Sequence, residues 1–190
     1  MASGTARRGR IGGLGMNLVL IGYRCTGKTT IGAILAEKLG WPLVDTDTLI
    51  QQRAGRSIKE IAAAGGWPEF RRLEREVVAD VAAGDGQVIS AGGGAILDAD
   101  NTQALRAGGK VILLTAPPQT VWARMKADPK TLAERPDLTD AGGLAEVTGV
   151  LAERREKYLA ACHYEIQTDR FPPDEAAGRV LAWLKANALI

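Results

Sequence analysis

Gly22-Tyr23-Arg24-Cys25-Thr26-Gly27-Lys28-Thr29 fits the pattern GxxxxGK followed by Ser or Thr, and it lies between an apolar run at 17–22 and a helical pattern at 29–39. In that setting glycines let backbone N–H groups turn inward around phosphate oxygens, and the following helix presents its positive end. Lys28 is placed to reach the outer phosphates of a nucleoside triphosphate, and the Thr29 hydroxyl to ligate magnesium. The candidate cradle therefore comprises Gly22, Tyr23, Arg24, Cys25, Thr26, Gly27, Lys28, Thr29 and Thr30. The bland alternative is a Gly-rich turn with a solvated lysine. At average residue frequencies the bare pattern arises by chance in a chain of this length on the order of one time in a hundred, and the strand and helix around it weigh further against chance. Cys25 reads either as an oxidation-sensitive thiol or as a small side chain tolerated in a tight turn.

Outward from the loop, Ile31, Ile34, Leu35 and Leu39 share one helical face, and Gly40 with Pro42 ends that helix. Short buried-type strands are predicted at 17–22, 42–45, 87–90, 110–115 and 163–168. Mostly helical sequence at about 46–83 is interrupted by Gly65, Gly66 and Pro68, and further helices are predicted at 144–161 and 173–187. Strands separated by helices imply an α/β fold, three layers around a central five-stranded parallel sheet. Residues 126–143 are polar and rich in Pro, Gly and charge, which predicts a mobile lid. Residues 1–15 carry Arg7, Arg8 and Arg10 without an apolar run of signal-peptide length, and read as a flexible leader. Residues 16–190 are expected to form one domain, with the acceptor region at about 45–75.

Composition narrows the partners. The 190 residues include 24 Lys plus Arg against 22 Asp plus Glu, a net charge of +2, too small an excess for a protein built mainly to bind nucleic acid. No segment approaches the roughly 20 apolar residues that span a bilayer. Two cysteines, Cys25 and Cys162, are too few for a disulfide scaffold and fit a reducing compartment, so the expected location is the cytoplasm. A monomer is expected.

The chemistry depends on where the acids lie. In many phosphate-loop NTPases an Asp ends a central strand, but here 110–115 runs into Ala116-Pro117-Pro118 and 87–90 into Ala91-Gly92-Gly93-Gly94. The carboxylates stand instead after the second strand, as Asp45-Thr46-Asp47. Two acids two residues apart at a strand end are expected to project to one side, one toward the magnesium shell and one toward an acceptor hydroxyl. A helix N-cap would by itself explain one of them. Three consecutive glycines at 92–94 cost backbone entropy and mark close approach to something, at the sheet end where ligands bind. Phe70-Arg71-Arg72-Leu73-Glu74-Arg75-Glu76, taken alone, reads as a solvated charged face.

Taken in order, these features resemble the shikimate kinases, P-loop enzymes of the nucleoside-monophosphate-kinase-like fold. The resemblance runs from residue 17 to the C-terminus through the phosphate loop, the Asp-x-Asp, the Phe-Arg with a following Glu, the triple glycine, Glu134-Arg135-Pro136 and an arginine before the last strand. It implies transfer of the ATP γ-phosphoryl to the 3-hydroxyl of shikimate with Mg2+, giving shikimate 3-phosphate and ADP on the route to chorismate and the aromatic amino acids. It further implies that Asp47 contacts the shikimate hydroxyls and orients or deprotonates the one attacked, and that Asp45 supports the metal through water. Arg71 and Arg154 then hold the substrate carboxylate, Glu74 orients Arg71, and Gly92, Gly93 and Gly94 close on the substrate. Arg135 swings over the transferred phosphoryl group, and Arg124 and Pro173 flank the adenine.

The chain departs from that pattern in three places. Cys25 stands where the loop usually carries a third glycine, Asp137-Leu138 stands where two leucines commonly follow the lid Arg-Pro, and Arg154 is followed by Arg155, leaving two candidates for the carboxylate partner, of which the spacing to Tyr158 favours Arg154. Two rival readings share the cradle. One is another small-molecule kinase, such as a gluconate kinase, which has no evident need of the Phe-Arg and triple-glycine combination. The other is a nucleotide-dependent binding switch, whose guanine-reading Asn-Lys-x-Asp has only Met125-Lys126-Ala127-Asp128 as a counterpart, while Asp140-Ala141-Gly142-Gly143 matches a switch motif without a preceding apolar strand.

Overall fold

Five parallel strands, with residues 43–45, 88–90, 17–21, 109–115 and 164–167 side by side in that order, form the sheet of the computed structural model, which describes residues 15–128 and 142–190. Nearly all of the expected leader and most of the expected lid, including Arg135, lie outside the described residues. β1 (Asn17–Ile21) is central, pairing with β3 (Val88–Ser90) on one side and β4 (Gly109–Thr115) on the other. β2 (Leu43–Asp45) and β5 (Tyr164–Gln167) flank them.

β1 is apolar throughout because both of its faces are covered. Leu18 and Leu20 pack with Val88, Ile112 and Leu114 against α1 (Lys28–Leu39) and α7 (Pro173–Ala186). Val19 and Ile21 face the other way, toward Ile50 of α2 (Thr46–Ala54), Val77 and Val78 of α3 (Ile58–Ala82), Leu105 of α4 (Ala99–Gly108) and Tyr158 of α6 (Gly143–Ala161). This alternation produces the expected three layers. A third apolar cluster joins Tyr23 to Val121 and Met125 of α5 (Pro118–Ala127) and to Val147 and Val150 of α6.

The interruption expected within 46–83 has two parts. Gly55 ends α2 in the left-handed region at φ 63°, and Gly66 kinks α3 at φ 70°, just before Pro68. Ser57 and Glu60 form a reciprocal capping box that starts α3. The second strand begins one residue later than expected, because Pro42 has no N–H for the ladder and contributes only its carbonyl, which accepts from Val88 N at 2.9 Å. The sequence pattern does not single out α4, whose start is marked by Asp98 capping the N–H groups of Asp100 and Asn101. Met125-Lys126-Ala127 ends α5, which removes the guanine-reading alternative.

Candidate active site

The phosphate loop leaves β1 at Gly22 (φ 139°), where a Cβ would strike the carbonyl of Leu114, and enters α1 through Gly27 (φ 99°). No side chain caps α1 among the described residues, and an uncapped helix start of this kind favours an anion. Lys28 Nζ donates to the carbonyls of Gly22 and Tyr23, each at 2.8 Å, and the Thr26 hydroxyl donates to the Tyr23 carbonyl at 2.8 Å. Cys25 is held at φ 58°, the left-handed conformation that glycine adopts without cost. Its position in the turn accounts for a small side chain there.

A large cleft beside this loop is lined by Gly27, Lys28, Thr29, Thr30, Asp45, Asp47, Arg124 and Pro173. Arg124 is fixed at its edge by three bonds, to Cys25 O (3.3 Å), Thr168 Oγ1 (3.0 Å) and Thr168 O (3.1 Å). Thr168, which sequence reasoning missed, lies at the end of β5 with its hydroxyl within reach of the carbonyls of Thr26 (2.9 Å) and Thr115 (3.1 Å). It ties the phosphate loop to the sheet. Gly22, Tyr23 and Thr26 belong to the loop but do not line this cleft, and the Tyr23 side chain faces elsewhere.

The Asp45 and Asp47 pair is set by a helix start and not by a strand end, and the N-cap expected for one of the two acids is Asp45. The strand ends at Asp45 and helix begins at Thr46, so strand alternation does not align the two acids. Asp45 is the N-cap of α2: its Oδ1 accepts from Thr48 N at 3.0 Å. Asp47 falls in the first helical turn, where the dipole favours an anion. Both still line the cleft beside the phosphate loop, and the helix start brings them there. Thr46 between them is fully buried, and its hydroxyl accepts the Gly92 N–H at 2.9 Å, which ties the glycine loop to α2.

A second, smaller cleft is lined by Tyr23, Arg24, Asp47, Ile58, Trp67, Phe70, Arg71, Glu74, Gly93, Gly94 and Arg154. The helix at 70–76 is therefore more than a solvated face. Arg71 lies over the rings of Phe70 (5.3 Å to the centroid) and Trp67 (5.8 Å), and donates to Glu74 Oε2 at 2.5 Å. Trp67 is a further residue the sequence reading overlooked, although its place one turn before Phe70 puts it on the same face. The glycines make room for this arrangement. A Cβ at Gly92 would sit 2.6 Å from Asp47 Oδ1, and one at Gly94 would sit 2.5 Å from Arg71 Nη2. The Gly93 carbonyl accepts from Arg154 Nη1 (3.2 Å) and from Tyr158 Oη (2.5 Å). Burial pushes the Tyr158 hydroxyl up to about 12, so it remains a donor. Arg154 is buried, whereas Arg155 is exposed and 3.9 Å from Glu165, so Arg154 is the arginine of the cleft.

Three buried polar atoms have no hydrogen-bond partner among the described residues: Arg154 Nε, Glu74 Oε1 and Tyr23 Oη. All three belong to residues lining the second cleft, which marks it as a polar receptor. Burial raises the Glu74 carboxyl above its ordinary 4.5, and the Arg71 charge only partly opposes this. A carboxyl whose folded pKa is raised favours folding below the unfolded pKa, and that contribution is lost as pH rises through the folded value. Glu74→Gln, a lasting mimic of the protonated form, is therefore expected to melt higher than the parent by a margin that widens as pH rises above the ordinary carboxylate range, while weakening any anion bound by Arg71, which loses its orienting carboxylate. Paired melts and acceptor titrations check both signs.

The chain is similar in sequence and in fold to proteins already characterised. The family model described as shikimate kinase matches residues 24–185. The shikimate kinase of Symbiobacterium thermophilum is 44% identical over 170 residues, covering 90% of this chain and 97% of that protein. That of Oleidesulfovibrio alaskensis is 44% identical over 169 residues, covering 89% and 97%. Among solved structures, the shikimate kinase from Acinetobacter baumannii in complex with shikimate superposes with a TM-score of 0.85 at 30% identity, covering 92% of this chain and 96% of that one.

Proposed function

The chain belongs to the shikimate kinase family and is an ATP-dependent kinase acting on shikimate, and from that premise we propose a division of labour between its two clefts. The observation that carries it is the place of Asp47, which lines both the nucleotide cleft and the acceptor cleft. A hydroxyl held against Asp47 from the acceptor side faces the terminal phosphate of a nucleotide held by Lys28 and the α1 amides. Arg71 and Arg154 grip the acceptor carboxylate, which suits planar guanidiniums carrying several donors in a fixed fork. Glu74 holds Arg71 from behind. Arg124 and Pro173 line the adenine end, and Arg135 joins the transferred phosphoryl group as the resemblance implies.

The phosphoryl transition state is loose, so positioning and charge neutralisation carry most of the catalysis, and Asp47 serves chiefly to align the attacking hydroxyl. Mg2+ fits the donor set. Thr29 and Asp45 supply hard oxygens to the nucleotide cleft, and the Thr48 cap bonds occupy only Oδ1 of Asp45. Such sparse protein ligation suits an ion that keeps its waters and draws on phosphate oxygens. When bound, it would neutralise charge on the β- and γ-phosphates.

The reading extends to one domain over residues 16–190, acting as a monomer in the cytoplasm. Among the described residues Leu144 is the large apolar side chain left exposed, which supports the monomer. No helix among them is long and apolar enough to cross a membrane.

ADP release measured with shikimate, with gluconate and with no acceptor tests the function. Rapid release is expected with shikimate alone. Equal rates in all three would mark a switch or a bare hydrolase, and preference for gluconate would mark another sugar-acid kinase.

A further inference from the structure

Tyr23 sits inside the phosphate loop, yet its side chain turns away from the nucleotide. Its ring packs on Val121, Met125, Val147 and Val150, a task phenylalanine would perform equally well. The hydroxyl therefore needs a separate reason. Tyr23 is 1% exposed, and Oη has no hydrogen-bond partner among the described residues.

The chemistry of its neighbours narrows what it awaits. The Arg24 guanidinium carbon is 5.4 Å from the Tyr23 ring centroid, near enough to donate weakly toward Oη, and Arg154 acts on the phenol electrostatically, but guanidiniums only donate, so neither can take the phenolic proton. Tyr158 points its own hydroxyl at the Gly93 carbonyl. Glu146 is also near, but its carboxylate takes Arg24 Nη2 at 3.4 Å and is not in hydrogen-bonding position to Tyr23. Burial holds the Tyr23 hydroxyl protonated, hence a donor. Arg154 Nε is a second buried donor without a partner in the same cleft. Two buried donors lacking acceptors call for a ligand that brings acceptor oxygens and negative charge.

We propose that the Tyr23 hydroxyl is an acceptor-binding group that donates to the carboxylate of shikimate beside Arg154, an assignment that rests on the functional reading above. One phosphate-loop residue then serves both substrates, with its backbone in the cradle and its side chain in the acceptor cleft.

Tyr23→Phe tests this with opposite signs for binding and folding. The expected result is a shikimate KM, and a calorimetric Kd measured without nucleotide, raised about ten- to a hundredfold. The ATP KM and kcat should stay within about threefold, because nothing on the nucleotide side is touched. The unliganded variant should melt no lower than the parent, since a buried hydroxyl without a partner has been removed. An unchanged shikimate Kd overturns the assignment, as does a lower melt with matching losses for both substrates, which would mark a merely structural hydroxyl. A parent protein that ignores shikimate overturns the functional reading, whereas normal binding by the parent and equal binding by the variant overturns the Tyr23 assignment alone.

Discussion

Asp47→Asn is expected to lower turnover about a hundred- to a thousandfold while leaving ATP affinity within about threefold. The asymmetry follows from position. Asp47 lies in the first turn of α2, in the wall between the two clefts, and the missing side chain at Gly92 is what gives its carboxylate room. Asparagine keeps the shape but replaces one acceptor oxygen by a donor and removes the charge, so the attacking hydroxyl loses the anion that aligns it. Nucleotide binding rests on other groups, namely the α1 amides, Lys28 and the Arg124 edge. Steady-state kinetics with each substrate varied in turn check the split. Equal losses in turnover and ATP affinity would place Asp47 in the nucleotide site and not between the two.

Arg154→Lys is expected to raise the shikimate KM at least about a hundredfold, with the ATP KM unchanged. Arg154 reaches the cleft from α6 with Nη1 tied to the Gly93 carbonyl and Nε unpartnered, so one guanidinium both anchors the glycine loop and presents a donor to the ligand. An ammonium is a point donor with no planar fork and cannot span both tasks. The neighbouring Arg155→Lys supplies the contrast. Its side chain is exposed and only 3.9 Å from Glu165, a surface pair of little energetic weight, and its kinetics should match the parent. A large effect at Arg155 with none at Arg154 would reverse the assignment.

Local chemistry by itself determined much of this protein. The phosphate loop between strand and helix, the apolar runs that must be buried on two faces, and the glycine and proline breaks all act within a few residues of where they are written. They therefore specified the parallel sheet, the nucleotide cradle and the kink near Gly66. Between Arg154 and Arg155 the spacing to Tyr158 already favoured Arg154, but the contact that gives it the role depends on which side of α6 packs against the Gly93 loop. The same holds for Gly92 and Gly94, which clear space for Asp47 and Arg71 from other elements, for Gly93, which packs on the backbone of the phosphate loop, and for Thr168, whose partners lie on β4, α5 and the loop after β1. Even the aspartate pair was found for an incomplete reason, since a helix cap and not a strand end orients it. Such contacts join residues far apart in the chain, and their geometry exists only once the layers have packed. The tertiary structure alone decided them, including the unpartnered hydroxyl of Tyr23.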